Sequence, residues 1–287
     1  NQINWLTGII NGTGNFILTE MRDKGRDFAD VLAEAQALGY AEADPTFDVE
    51  GIDAAHKLTI LASLAFGIPL QFEKAYTEGI SQITRDDVQY AEELGYRIKH
   101  LGVSRRTDTG VELRVHPTMV PESALLANVN GVMNAVLVDG DAVGQTMYYG
   151  AGAGAEPTAS AVVADIVDVV RTLTADRDNR VPHLAFQPGE LSDLPVLPVE
   201  QIETGYYLRM QALEQPGVLA QVTSILGDKG INIEAIIQKE TREEQVPVII
   251  LTQRVQEQKM NEAIAAIEAL GAICGSVTRI RVEHLAD

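Results

Sequence analysis

From Asp176 to Thr204 the chain reads DRDNRVPHLAFQPGELSDLPVLPVEQIET, with four prolines, many acids and no sustained helical or strand period. Proline fixes φ and carries no amide hydrogen, so neither a long helix nor a central strand can run through such a stretch. It is a linker, and it predicts two separately packed parts, residues 1–175 and 205–287. A length of 287 residues is enough for each to bury a core.

The shorter part holds six compact elements: strand YYLRMQAL, helix GVLAQVTSILGDKG, strands INIEAIIQKE and PVIILTQRV, helix KMNEAIAAIEALG and strand AICGSVTRIRVEHL. This β-α-β-β-α-β order predicts a ferredoxin-like split fold. Its turn residues, Pro216–Gly217 and Gly230–Asn232, are accounted for by turn chemistry alone. The longer part opens with a strand over residues 3–10, a turn over Asn11–Gly14 and an amphipathic helix. A second helix, FADVLAEAQALG, ends on Gly39, and after an acidic loop a third runs from about Gly51 to Phe66, stopped by Gly67 and Pro69. An exposed helix, TRDDVQYAEELGY, leads to strands YRIKHLGVSRR, GVELRVHPTMV, NAVLVDG and VGQTMYYG, close enough together for an antiparallel or mixed sheet. The expected class is α+β: a mixed or antiparallel sheet with covering helices, followed by the βαββαβ module.

A formal charge of −19 repels phosphate backbones and anionic lipid, which argues against nucleic acid or membranes as partners. No apolar run reaches the roughly 18 residues that span a bilayer, and the single cysteine, Cys274, fits a reducing compartment, so the expected location is cytoplasmic. The apolar opening, NQINWLTGII, suggests further sequence upstream.

Chemistry concentrates in LGYAEADPTFDVEGIDAAHK. Asp53 and Lys57 are four apart and share a helix face. One reading is a surface ion pair; the other is a lysine that moves a proton beside an orienting carboxylate, since an almost wholly apolar run, LTILASLAFG, follows and implies a core helix whose polar first turn faces a cleft. Glu42, Asp44, Asp48 and Glu50 either complement the helix dipole or receive a cationic group such as an α-ammonium. Gly150, Gly152 and Ala155 fit G-x-G-x-x-[G/A], but the helix after them leads into the linker and not into a second parallel strand, so a complete Rossmann half is not expected. The backbone of that turn can still touch a phosphate or a nicotinamide. The five histidines are scattered without metal-ligand spacing, which predicts no metal site, and His56 reads as a surface residue.

Taken in order, GIINGTGNFIL, LGYAEADPTFDVEGIDAAHK and YGAGAGAEPTASAVVADIVDV resemble the substrate domain of bacterial homoserine dehydrogenase, and residues 205–287 resemble its ACT regulatory module. The resemblance covers practically the whole chain but not the family's N-terminal Rossmann domain, which would bind most of the cofactor. It implies NAD(P)-dependent interconversion of L-homoserine and L-aspartate 4-semialdehyde, in the biosynthesis of threonine, methionine and isoleucine. Lys57 matches the catalytic lysine and Asp53 the carboxylate beside it. Glu42 and Asp48 match the substrate-binding acids, with Tyr40, Gly12 and Thr13 lining the same pocket, while Asn11 and Gly150 fall near the cofactor. Gly14 departs from the threonine often found there. In the ACT module Gly217 and Asn232 match the effector site, with threonine the expected effector, and a homodimer or homotetramer is implied. Without the cofactor domain the chain is expected to be inactive alone. The competing reading is an amino-acid-binding regulator that performs no chemistry, and the intact Asp53/Lys57 pair favours the enzyme.

Overall fold

The computed structural model describes every residue except 174–179, 181, 183, 240–243 and 286–287, so the opening of the expected linker lies mostly outside the described residues. In chain order the elements are β1 (Ile3–Ile9), α1 (Gly12–Lys24), α2 (Phe28–Ala37), α3 (Thr46–Val49), α4 (Ile52–Phe66), β2 (Tyr76–Thr77), α5 (Arg85–Glu93), β3 (Tyr96–Arg106), β4 (Val111–Pro121), β5 (Met133–Gly140), β6 (Gly144–Ala151) and α6 (Ala155–Leu173). They continue with β7 (Glu203–Leu213), α7 (Val218–Asp228), β8 (Ile233–Gln238), β9 (Gln245–Gln256), α8 (Glu257–Glu268) and β10 (Ile273–Val282). They form two compact units, one of residues 1–85, 100–116 and 128–197, the other of 86–99, 117–127 and 198–287. The second unit thus draws in two segments that precede the linker, which the expected boundary at 176–204 did not include. The mixed α/β class and the βαββαβ order are as the sequence implies.

In the first unit the strands lie in the order β6-β5-β1-β3-β4, with β2 beside β4. β1 pairs antiparallel with both β3 and β5, and β5 with β6, while β2 and β4 run parallel. Both faces of β1 are buried, and alternation decides which residues meet α4: Leu6, and Ile10 just past the strand, join Ala55, Leu58, Ala62 and Phe66 of α4 in one core. Burying Leu58 and Phe66 contributes roughly 1.5–3 kcal/mol each. Not every side of α4 is covered, since Ile60 and Leu64 are exposed. A left-handed glycine bounds α4 at each end, Gly51 at φ 80° and Gly67 at φ 64°.

The later part of the expected linker is fastened to this unit. Val111 N–H donates to the Pro195 carbonyl at 2.9 Å, Leu197 N–H donates back to the Val111 carbonyl at 2.9 Å, and Leu194 and Val196 join the core around α4. Proline ends each short pairing run, which is why the sequence shows no strand period there.

The second unit has the order β10-β7-β9-β8, all antiparallel, with the end of β4 running parallel beside β10 (Arg281 opposite Thr118). The period of two splits β7: Tyr206, Leu208, Met210 and Ala212 face the core shared with α7 and α8. Its other face carries Tyr207 and Arg209, which bind Asp87 of α5; the Tyr207 hydroxyl donates at 3.1 Å and Arg209 at 2.6 and 3.1 Å. Asp87 is fully buried, so α5 is fixed by an ion pair and is not the free, exposed helix its sequence suggests.

Candidate active site

Asn11 organises the first unit's acidic loop. It caps α1 from an extended conformation, its Oδ1 accepting the Gly14 N–H at 2.8 Å, so the expected turn at Asn11–Gly14 is already the first turn of the helix. Its Nδ2 has two hydrogens, and both are used: one bonds Asp48 Oδ1 at 2.8 Å, the other Asp53 Oδ2 at 2.9 Å. Each polar atom of the side chain therefore has a partner within the protein, and the Asn11 amide positions the two carboxylates.

Asp53 Oδ2 also accepts from Lys57 Nζ at 2.7 Å, and the same ammonium donates to the Ile10 carbonyl at 3.2 Å. The Lys57 side chain is half exposed and that of Asp53 is 22% exposed, which separates this pair from an ordinary surface one: the amine is anchored at two points yet open to a ligand. An ammonium has three donors, and two are taken here.

The remaining predicted residues are distributed around this cluster. Asp48 joins it through Asn11, and Glu42 is an exposed side chain on the same loop, whose carbonyl accepts from Gln36 Nε2 at 3.0 Å. The Thr13 hydroxyl donates to the Tyr40 carbonyl at 2.7 Å, and the Tyr40 ring packs edge-on against Phe16 at 5.1 Å, which ties the loop to α1. The other two acids serve the fold. Asp44 accepts from the Thr46 N–H ahead of α3, and the bonds from Thr46 hold its carboxyl below the usual range; Glu50 accepts from the Ser81 hydroxyl at 2.7 Å. Asn11, Asp48, Asp53 and Lys57 are thus brought together, with Gly12 and Thr13 following Asn11 in the first turn of α1. His56 is stacked on Phe72 at 3.7 Å and faces Phe47 at 5.8 Å, fastening α3 to α4.

Two residues escaped the sequence reading. His100 is buried beneath the loop, its Nε2 2.9 Å from the Glu78 carbonyl and its ring 2.9 Å from where a Cβ on Gly51 would lie. Because a carbonyl only accepts, Nε2 carries the proton, and burial holds the ring's pKa below the ordinary histidine value. Asn134 of β5 sits opposite Gly150 of β6. Nothing in YRIKHLGVSRR marks His100 and nothing in NAVLVDG marks Asn134, because what lies opposite a strand residue is decided by partners distant in sequence.

The glycine turn after β6 packs closely against β5 and leaves Gly150 open. Gly150 has open space around it, a Cβ at Gly152 would fall 2.1 Å from Asn134 Nδ2, one at Gly12 would fall 2.8 Å from the Val132 carbonyl oxygen, and Asn134 Oδ1 is buried without a hydrogen-bond partner. β6 pairs antiparallel with β5 before α6 begins, so no βαβ unit forms. Among the described residues no group of three His, Cys, Asp or Glu side chains is placed to hold a metal ion, and no helix is long and apolar enough to cross a membrane.

In the second unit, Gly217 (φ 91°) caps α7 and borders a cavity of about 280 Å³, which Leu213, Pro216, Gln238 and Val248 also line. Asn232 precedes β8, where its Nδ2 donates to Gln253 Oε1 at 3.3 Å, and it is not among the residues that line this cavity.

Comparison with known proteins gives two family matches, homoserine dehydrogenase over residues 1–167 and the ACT domain over 206–269. Homoserine dehydrogenase of Pseudomonas aeruginosa is 72% identical over 99% of this chain, which spans 66% of that protein, and that of Neisseria gonorrhoeae is 58% identical over 100%, again spanning 66%. A crystal structure of a homoserine dehydrogenase from Thiobacillus denitrificans superimposes with a TM-score of 0.95 at 67% identity, covering 100% of this chain and 65% of that one. The chain therefore spans just under two thirds of these relatives.

Proposed function

This chain belongs to the homoserine dehydrogenase family, and from that membership we propose that it carries the substrate and proton-transfer site of an enzyme interconverting L-homoserine and L-aspartate 4-semialdehyde with NAD(P). The observation that supports this most is the anchoring of Lys57 Nζ by Asp53 and the Ile10 carbonyl, which leaves one N–H for a substrate oxygen. In aldehyde reduction that N–H donates the proton to the carbonyl oxygen; in alcohol oxidation the neutral amine takes it from the hydroxyl. Asp53 keeps the amine in place, and Asn11 keeps Asp53 in place. The nicotinamide, when bound, supplies the hydride acceptor or donor at the adjacent carbon. Asn134 and the glycine turn at Gly150–Gly154 would meet its carboxamide end, and most of the dinucleotide would be held by a Rossmann domain outside these residues. Glu42 and Asp48 would receive the substrate ammonium, as carboxylates of the segment ahead of α4, Asp48 being bonded through Asn11 to the Asp53–Lys57 pair. A non-catalytic binder has no need of an amine held this way.

The second unit would bind threonine as a feedback effector. A cavity of about 280 Å³ suits a small amino acid, and the first-turn N–H groups of α7 beside Gly217 suit its carboxylate. Self-association would use the outer edge of β8, because β10 is already paired with β4. Steady-state kinetics of the full-length protein test the substrate assignment: Glu42→Ala is expected to raise the homoserine KM with little change in kcat. An unchanged KM removes Glu42 from the site.

A further inference from the structure

The His100 ring lies between two glycine backbones. A Cβ on Gly51 would fall 2.9 Å from its Cε1 and 3.1 Å from its Nε2, and one on Gly14 would fall 3.6 Å from its Nδ1. The amides of these same glycines hold the site: Gly14 N–H donates to Asn11 Oδ1 at 2.8 Å, and Gly51 N–H donates to the Asp48 carbonyl at 3.1 Å. Asn11 and Asp48 are the two ends of one further bond, and Asn11 also holds Asp53, the partner of Lys57. Gly51 begins α4, the helix that carries Asp53 and Lys57. The ring is thus the common floor of the first turn of α1 and the start of α4. Its own place is fixed by Nε2, 2.9 Å from the Glu78 carbonyl.

The other ring nitrogen makes this floor sensitive to a proton. Nδ1 is buried without a hydrogen-bond partner, so an N–H added there would be left unsatisfied. Asn11 Oδ1 borders the same space, 3.5 Å from the point where a Cβ on Gly14 would stand. A proton on Nδ1 would draw that oxygen away from the Gly14 N–H, and the amide that turns to meet it takes its NH₂ from Asp48 and Asp53. The carboxylates facing the ring are Glu78, bonded to the Tyr76 hydroxyl, and Glu50, bonded to Ser81; the first turn of α1 has no acid, and α4 brings Asp53 and Lys57. Glu78 and Glu50 favour a charged ring, but burial outweighs them and lowers its pKa. We propose that His100 is a positioning residue for the proton transfer: it keeps Asn11 and Asp48 at the spacing that holds Asp53 against Lys57, and a proton on Nδ1 undoes that spacing. This rests on the reading that Lys57 moves the substrate's proton.

Reduction of L-aspartate 4-semialdehyde by the full-length protein isolates the effect. In that direction Lys57 is the acid, so its own protonation at low pH costs no activity, and carboxylates such as Glu42 and Asp48 ordinarily titrate only near about 4. Wild-type kcat is expected to fall as the pH is lowered from about 8 to about 5, by up to about tenfold per unit once the ring is charged. His100→Gln carries an amide that can donate to the Glu78 carbonyl and does not titrate. It is expected to keep kcat within about twofold of wild type at the upper pH and to lose the acid fall. His100→Leu fills the space without a donor and is expected to lose about tenfold in kcat at that pH, while the dinucleotide Kd stays within about twofold. An acid fall of the same size in His100→Gln overturns the proposal, and so does its absence from the wild type. Neither result depends on the leucine variant folding, and both leave the dehydrogenase reading in place. A wild type that reduces no semialdehyde at any pH overturns both.

Discussion

Replacing Asn11 tests how the site is held together, and its cost can be worked out bond by bond. Asn11→Ala removes the N-cap of α1, worth about 1 kcal/mol. It also removes the bonds to Asp48 and Asp53, each worth net about 0.5–1.5 kcal/mol because water can rehydrate part-buried carboxylates. Without the bridging NH₂ Asp48 loses this partner, while Asp53 keeps Lys57. The sum is about 2–4 kcal/mol, and it can be separated. Serine caps as well as asparagine does, but a single hydroxyl cannot bond two carboxylates and the Gly14 N–H at once, so Asn11→Ser should recover only the capping share of about 1 kcal/mol. Urea denaturation of the two variants, read as midpoint shifts at constant slope, gives both numbers. If Asn11→Ala unfolds within 0.5 kcal/mol of wild type, the amide does not hold the acids and the account of the cluster is wrong.

Three further outcomes are expected. His100 is buried with its pKa lowered, so between the ordinary value of 6.5 and the folded one the unfolded chain binds more protons; stability should fall as pH drops below 6.5, by at most about 1.4 kcal/mol per pH unit, and the melting temperature of His100→Asn should lack that part of the slope. Arg209→Ala leaves the buried Asp87 carboxylate without its bidentate partner and should cost about 3–5 kcal/mol in a denaturant titration; a residue 198–287 fragment, which lacks α5, should show a similar weakness. Gly79→Ala would place a Cβ 2.2 Å from Glu50 Oε2 and 2.8 Å from its Cα, and since backbone cannot move aside it should cost about 1–3 kcal/mol, read as a drop in melting temperature.

The elements were largely legible because period and punctuation coincide in this chain. The run from Ile52 to Phe66 lies between two left-handed glycines, and β3 to β6 alternate or are apolar up to their turns. The Asp53/Lys57 pair could be read from its spacing of four. Less legible was anything decided by register or by a partner far away in sequence. Asn11 looked like a turn residue, although asparagine ahead of a helix is also a capping signal. Its double bond to Asp48 and Asp53 depends on α3, a four-residue helix too short for any pattern. Asp87 looked solvated because its partners, Tyr207 and Arg209, are about 120 residues away. Asn134 and His100 sit in strands, where a polar residue says nothing about what lies opposite.

Homoserine-dependent NAD(P)H formation by full-length Lys57→Ala, set against wild type at saturating substrate, tests the central claim most directly. A group that moves the hydroxyl proton contributes typically 10²–10⁴ in rate, so kcat should fall by that factor while the Kd for the dinucleotide stays within about twofold. A variant that keeps near-normal kcat would contradict the account, because the amine held by Asp53 and Ile10 would then have no part in the chemistry.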